Sequence, residues 1–164
     1  MYPLFYPNLA ETIANLPFTA ISSERLQLLD EMVIYLRAKM KQGEEIRLNF
    51  ICTHNSRRSQ FSQIWAQTAA AYHGIEANCY SGGVEVTAFN PRAVAAIQRD
   101  GFKVVKKEGE NPVYFVFYCE DEQPIVAFSK LYDDAINAPK DFAAVMTCDH
   151  ADENCPFISG AERR

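Results

Sequence analysis

The residues with the clearest chemical potential lie at 52–59, in the segment Cys-Thr-His-Asn-Ser-Arg-Arg-Ser. A cysteine thiolate is a strong nucleophile, and an arginine guanidinium can hold two oxygens of one anion. The spacing between Cys52 and Arg58 lets the chain curve around an oxyanion with several backbone N–H groups pointing inward. We therefore predict a thiolate nucleophile in an oxyanion cradle.

The flanking sequence places this segment at a ligand-binding position. An apolar run of strand-forming residues at 46–51 precedes Cys52, and a helical pattern begins at Ser56 or Arg58. Ligands of α/β sheets bind at the carboxyl ends of the strands, where the amino terminus of the next helix favours anions. The alternative is a buried strand-end cysteine followed by two surface arginines, but the position between strand and helix favours function.

Each residue of the segment has a predicted role. Cys52 is the predicted nucleophile, and Arg58 is the predicted clamp on the anion. Six other residues are predicted to bind the substrate: Thr53, His54, Asn55, Ser56, Arg57 and Ser59. An exposed loop position is an equal alternative for His54, and Arg57 is expected at the rim. The Ser-Gly-Gly sequence at 81–83 could touch the cradle from the next strand.

A second cysteine segment follows the strand pattern at 142–147 and runs from Cys148 to Cys155, where the composition predicts a polar, acidic loop. If its strand and the 46–51 strand are parallel neighbours, Cys52 and Cys148 emerge at the same edge of the sheet. A disulfide between Cys148 and Cys155 requires the segment to bend or a helical turn to unwind, since the Cα atoms must come within about 7 Å. The functional interpretation is a thiol relay. Zinc binding by Cys148, His150 and Cys155 is disfavoured by the irregular spacing and the missing fourth ligand.

Hydrophobic periodicity predicts the architecture that must position these residues. Strand patterns occur at 46–51, 77–81, 102–105, 112–120, 124–130 and 142–147. Helical patterns separate the first three strands, and an acidic turn separates the fourth from the fifth, which indicates a hairpin. We therefore predict an α/β fold in three layers, with a mainly parallel four-stranded sheet and an added antiparallel hairpin.

The first part of the chain is predicted to be a separate helical addition. The expected division is an N-terminal helical extension at 1–45 and a main domain at 46–164. The longer helix of the extension begins after Ser22 or Ser23 and ends at Gly43. Its apolar stripe is predicted to pack on the domain, with a dimer face as the alternative: Leu26, Leu29, Val33, Leu36 and Met40.

The composition excludes several classes of protein. A net charge of −5 argues against a general binder of nucleic acid or anionic membranes. The sequence contains no run of apolar residues long enough to span a membrane and no signal-peptide pattern at its start, so a cytoplasmic location is predicted. The odd count of five cysteines does not fit a disulfide framework, and Cys79 and Cys119 are predicted to be core thiols.

Cys52, Asn55, Arg58 and Ser59 together resemble the loop of the low-molecular-weight protein tyrosine phosphatase superfamily. Within it, the chain looks most like the thioredoxin-coupled arsenate reductases. Further matching blocks are Tyr-Ser-x-Gly at 80–83, Asn-Pro-x-Ala at 90–93, and Cys-x-x-Ala-Asp-x-Asn-Cys-Pro at 148–156. The last block discriminates, because plain phosphatases of this fold have no need of a second cysteine pair.

The resemblance implies a mechanism. Cys52 would attack arsenate, Cys148 would attack Cys52 and expel arsenite, and Cys155 would move the disulfide to Cys148–Cys155 for reduction by thioredoxin. No cofactor and no metal are predicted. Some relatives bind potassium near the loop asparagine, but Gln63 stands where those relatives have an acidic ligand, which argues against potassium here.

The sequence departs from the family pattern in one serious respect. The family's general acid lies in an Asp-Pro loop after the second relay cysteine, and this sequence contains no Asp-Pro dipeptide. The expectation is a domain truncated after Arg164, with replacement of the acid by Asp149 or Asp152 as the alternative. Two other functions stay open: a phosphatase that uses Cys52 alone, and a non-catalytic oxyanion or redox sensor.

Overall fold

A computed structural model describes residues 4–154 and 157–164. Its helices are α1 (Pro7–Ala14), α2 (Ser23–Gln42), α3 (Arg58–Tyr72), α4 (Pro91–Arg99) and α5 (Asp149–Asn154). Its strands are β1 (Ile46–Cys52), β2 (Ala77–Gly83), β3 (Lys103–Lys107), β4 (Val113–Phe117), β5 (Ile125–Ala127), β6 (Phe142–Met146) and β7 (Ala161–Arg163). Cys155 lies outside the described residues, so its predicted role has no structural counterpart here.

The predicted parallel sheet is confirmed. Four strands pair in the order β2-β1-β6-β7, and every pairing in this sheet is parallel. β1 pairs with β2 on one side and with β6 on the other. Cys52 is opposite Gly83 of β2, and Ile51 is opposite Met146 of β6. The fourth strand, β7, was not predicted, because a segment of three residues, two of them charged and exposed, carries no strand signal.

The predicted hairpin is also confirmed, but it belongs to a second sheet. β4 pairs antiparallel with both β3 and β5, in the order β3-β4-β5. The prediction of one sheet with an antiparallel addition is therefore corrected for β3, which lies outside the parallel sheet. β3 reads Lys-Val-Val-Lys-Lys, and a strand inside a parallel sheet would instead be apolar on both faces.

The largest core cluster lies between helices α1, α3 and α4 and this second sheet. Ile64 of α3 and Ile97 of α4 are fully buried there, together with Val116 of β4. Leu9 brings α1 into the same cluster, where the backbone of α1 approaches Gly101 so closely that a Cβ would lie 2.3 Å from Leu9 N. Cys119 is buried here and Cys79 on β2, as predicted for core thiols.

Helix α2 packs against the parallel sheet, but through a different stripe from the one predicted. Met32, Tyr35 and Leu36 pack against the buried residues of β1, whereas most of the predicted stripe is exposed: Leu26, Leu29, Val33 and Met40. Lys39 reaches Glu162 of β7 at 2.6 Å, and the Tyr35 hydroxyl donates to the same carboxylate at 2.7 Å. Because Tyr35 and Lys39 end in polar groups, the pattern of apolar residues in the sequence does not indicate that this side of α2 is packed.

The helices of residues 4–154 and 157–164 include none that is long and apolar enough to cross a membrane. The division into an extension at 1–45 and a domain at 46–164 stays a prediction, although α1 and α2 both contribute side chains to core clusters.

Candidate active site

Cys52 is the last residue of β1 and is almost completely buried. Its Sγ accepts a hydrogen bond from the backbone N–H of Asn55 at 3.2 Å. The hydroxyl of Ser59, in the first turn of α3, lies 3.0 Å from the same sulfur. Two hydrogen-bonding groups therefore converge on the predicted nucleophile, as a cradle for a thiolate or for an oxyanion bound beside it requires.

Asn55 is the centre of the loop. It has a φ of 45°, in the left-handed region that asparagine tolerates better than most residues, and it is fully buried. Its Nδ2 donates to Ser59 Oγ at 2.8 Å, and its Oδ1 accepts from Gln60 Nε2 at 3.1 Å and from the backbone N–H of Lys130 at 3.0 Å. Asn55 thus holds the loop in shape from inside.

Two neighbouring segments support the loop from outside. Gly83 at the end of β2 lies so close that a Cβ there would be 2.8 Å from both Asn55 N and Thr53 O. The Ser129 hydroxyl donates to the carbonyl oxygen of His54 at 2.8 Å. The proposed contact from the 81–83 segment is therefore real at Gly83. The role of 128–130 was missed, because nothing in that sequence indicates contact with a loop so far away along the chain.

The remaining loop residues lie at the surface or turn towards other loops. His54 is exposed and its Nε2 lies 3.2 Å from Glu85 Oε2, whereas the Ser56 hydroxyl donates to Ala88 O at 2.7 Å. Arg57 and Arg58 are exposed, at the start of α3. Arg58 still acts on the site, since its positive charge is one of the influences that lower the pKa of Cys148.

Cys148 lies beside the cradle, two residues after the end of β6. Its Sγ is 3.5 Å from the hydroxyl of Thr53, the residue that follows Cys52. Burial tends to raise the pKa of Cys148, but hydrogen bonds from the Thr53 hydroxyl and from the N–H groups of Ala151 and Thr53 lower it, and so does the charge of Arg58. The combined effect lowers the pKa of Cys148 and favours its thiolate.

The residues after Cys148 form the helix α5 rather than the predicted polar loop. His150 on this helix places its Nδ1 3.2 Å from Thr53 Oγ1. Residues 4–154 and 157–164 contain no group of three or more His, Cys, Asp or Glu side chains arranged to hold a metal ion. The zinc alternative includes Cys155 and stays untested.

Comparison with known proteins identifies the relatives of this site. No protein-family model matches the chain. Arsenate reductase 2 of Staphylococcus saprophyticus is 34% identical over 109 residues, which cover 66% of this chain and 65% of the relative. An arsenate reductase of Staphylococcus aureus is 32% identical over 110 residues with the same coverage, and one of Bacillus licheniformis is 38% identical over 61 residues, 37% of this chain and 42% of the relative. The chain is similar to the two Staphylococcus arsenate reductases over 66% of its length.

The chain spans 65% of the length of these Staphylococcus relatives. The family resemblance predicted from the loop and from the second cysteine segment is confirmed. The α/β fold predicted from the strand and helix patterns is also confirmed, since the structure has a four-stranded parallel sheet flanked by helices.

Several buried polar side chains lie beside the cradle, among them Gln63. Ser81 Oγ donates to Gln63 Oε1 at 2.6 Å, so these two side chains bind each other. Lys130 is buried nearby on the segment that contacts Asn55, and its Nζ has no hydrogen-bond partner within the described part of the chain. Burial lowers the pKa of Lys130 to about 8, and the negative charge of Asp134 opposes this shift. A buried lysine therefore lies close to the loop.

Proposed function

We propose that this protein reduces arsenate to arsenite through a relay of three cysteines, in the cytoplasm, with thioredoxin as the reductant. One observation carries the proposal: Cys52 and Cys148 follow neighbouring parallel strands, and the Thr53 hydroxyl next to Cys52 lies 3.5 Å from Cys148 Sγ. A second thiol beside the cradle has a use in reduction and none in hydrolysis. The names of the relatives support the same activity.

The cradle would bind the arsenate. The N–H of Asn55 and the hydroxyl of Ser59 point at Cys52 Sγ, where an oxyanion under attack would lie. Arg58 is exposed at the amino terminus of α3, so its guanidinium is available to close on two oxygens of the anion. Arsenate and phosphate have the same shape and charge, so these groups alone do not distinguish a reductase from a phosphatase.

The relay would proceed by thiolate attack at each step. The Cys52 thiolate attacks arsenic, an arsenate oxygen leaves as water, and a sulfur–arsenic bond replaces an arsenic–oxygen bond. The Cys148 thiolate then attacks Cys52 Sγ, and the electron pair of the sulfur–arsenic bond stays on arsenic, which leaves as arsenite. Two sulfurs are oxidised and arsenic gains two electrons. Cys155 attacks Cys148, which releases Cys52 as a thiolate, and the thioredoxin dithiol reduces the final disulfide.

The last exchange would require α5 to unwind. A helix rises about 1.5 Å per residue, so seven residue steps separate two Cα atoms by roughly 10 Å, whereas a disulfide needs them within about 7 Å. The six residues of α5 fill the interval between Cys148 and Cys155. Short isolated helices are only marginally stable, and α5 is mostly exposed, so this opening would cost little free energy.

The test is arsenite production with thioredoxin, thioredoxin reductase and NADPH. Cys52→Ser, Cys148→Ser and Cys155→Ser should each abolish turnover. Cys79→Ala removes a thiol buried away from the site and should leave turnover within about twofold of the wild type. If arsenate reduction continues without Cys148 and Cys155, the relay is wrong.

The second candidate is a phosphatase that forms a phosphocysteine at Cys52, because the cradle geometry suits phosphate equally well. Hydrolysis of p-nitrophenyl phosphate by the Cys148→Ser variant separates the two. Phosphatase turnover would survive this change, whereas arsenate reduction would not. A protein with phosphatase turnover and without arsenate turnover would refute the reductase proposal.

A further inference from the structure

The hydroxyl of Thr53 bridges two groups of different chemistry. Thr53 Oγ1 lies 3.5 Å from Cys148 Sγ and 3.2 Å from His150 Nδ1. A hydroxyl has one proton to donate and two lone pairs to accept with, so it can accept from the thiol while it donates to the imidazole. We propose that His150 accepts the proton of the Cys148 thiol through the hydroxyl of Thr53. This inference rests on the proposed function, because it explains how the second thiol of the relay becomes a nucleophile.

The proton transfer balances without any further reactant. The thiol proton moves to Thr53 Oγ1 as the hydroxyl proton moves to His150 Nδ1. The products are a Cys148 thiolate and a His150 imidazolium, and no atom is oxidised or reduced. Both contacts persist with reversed direction, because Thr53 now donates to the thiolate and the imidazolium now donates to Thr53 Oγ1.

The surroundings of the two groups suit this transfer. Thr53 is buried between them, which protects the bridging hydroxyl from competition with water, whereas the His150 side chain is exposed and can release its proton to solvent. The thiolate would accept hydrogen bonds from the N–H groups of Ala151 and Thr53. The positive charge of Arg58 would stabilise it further. The cradle thus contributes donors to the second sulfur as well as to the first.

Other charged groups also face this region and enter any pH profile. They come from three elements and the residue after β7: Cys52 on β1, Arg58 on α3, Asp149, Asp152 and Glu153 on α5, and Arg164. Arg164 lies 2.6 Å from Asp152 Oδ1, which offsets one of the negative charges on α5. His54 belongs to a different pair, with Glu85.

The experiment measures the reactivity of Cys148 without arsenate. The reduced full chain is labelled briefly with iodoacetamide between pH 5 and pH 10, and fragment mass spectrometry separates Cys148 from Cys155. His150→Asn keeps an amide that can bind Thr53 but cannot take up a proton. Thr53→Val removes the hydroxyl at constant shape, and Thr53→Ser restores it. His73→Asn, at the end of α3, is the matched histidine control.

We expect His150→Asn and Thr53→Val each to slow the labelling of Cys148 roughly three- to tenfold at pH 7, because the thiolate fraction falls. Thr53→Ser and His73→Asn should retain the wild-type profile. All rates should converge above the thiol pKa, where the proton is already lost; a merely structural effect would slow labelling at every pH. An unchanged profile in His150→Asn, or equal losses in Thr53→Ser and Thr53→Val, would overturn the inference.

The labelling assay also separates this inference from the proposed function. If the labelling profile is as expected and arsenate is not reduced, the proton path stands and the reductase proposal fails. If arsenate is reduced and His150→Asn labels like the wild type, the reductase proposal stands and the proton path fails.

Discussion

The backbone N–H of Lys130 donates a hydrogen bond of 3.0 Å to Oδ1 of Asn55, although the two residues are 75 positions apart in the chain. Both residues are buried, so the bond is shielded from water. The contact joins the segment after β5 to the loop after β1. It stabilises the one loop residue with a positive φ, and through that residue it orients the N–H that binds Cys52.

Replacement of Asn55 by alanine should destabilise the protein by about 2–4 kcal/mol, because it leaves buried partners unsatisfied and puts at positive φ a residue that tolerates this region less well than asparagine. Asn55→Gly loses the same hydrogen bonds but relieves the backbone, so it should be more stable than Asn55→Ala by about 1 kcal/mol. Urea unfolding followed by circular dichroism measures both. Equal stability of Asn55→Ala and the wild type would contradict the role of this residue as the centre of the loop.

Removal of the Ser59 hydroxyl should weaken the site more than the fold. Ser59→Ala deletes a group 3.0 Å from Cys52 Sγ and also the acceptor of the Asn55 side-chain amide. A lost hydrogen bond to a charged group is worth about 1.5–3 kcal/mol, so arsenate turnover should fall at least about tenfold. Ser62→Ala on the exposed side of α3 is the control, since its hydroxyl only binds the carbonyl of Arg58. Similar turnover in the two variants would count against the contact with Cys52.

A methyl group at Gly83 should disturb the cradle. A Cβ there would lie 2.7 Å from Glu85 O and 2.8 Å from Asn55 N, and both contacts are with backbone that cannot rotate away. We expect Gly83→Ala to cost about 1–3 kcal/mol of unfolding free energy and to reduce arsenate turnover. Gly109→Ala is the matched control, because its nearest neighbour would be 3.9 Å away. Thermal unfolding of the two variants side by side measures the difference, and equal melting temperatures would refute the close approach.

Lys130 should make the free energy of unfolding rise with pH in the alkaline range. Burial lowers the pKa of Lys130 from 10.5 to about 8, so the folded state binds its proton less tightly than the unfolded state does. Below about pH 8 Lys130 is protonated in both states, so the folded state bears the full free-energy cost of the buried charge. Between about pH 8 and 10.5 the unfolded state holds more protons, and stability rises with pH as this cost is relieved.

Lys130→Met should therefore stabilise the protein at pH 7, by about 1–3 kcal/mol, because it replaces an ammonium without a hydrogen-bond partner among the described residues by an apolar side chain. The gain should shrink as the pH approaches 10.5. Urea unfolding at pH 7 and pH 10 measures both values. Destabilisation at pH 7 would mean that the contact of the ammonium with the Phe128 ring, 4.9 Å from Nζ to the ring centroid, outweighs the cost of burying the charge.

Some of the structure could be predicted because its signals are local. The β1 pattern and the start of α3 at Ser56 or Arg58 follow from residue type and spacing, and α3 indeed begins at Arg58. The hairpin also had a local signal, in two apolar runs around an acidic turn. The packed face of α2 did not, because Tyr35 and Lys39 bury their stems while their polar ends reach Glu162.

The sequence by itself determined the kind of cradle: a thiol, a curved loop with an arginine, and a helix start, all within residues 52–59. Only the tertiary structure decided what surrounds it. Strand order brings β6 beside β1 and places Cys148 within reach of Thr53, and it brings Lys130 to Asn55 and His150 to Thr53. The physical reason is range: loop curvature depends on a few consecutive dihedral angles, whereas these contacts depend on how distant strands and helices bury their apolar faces together.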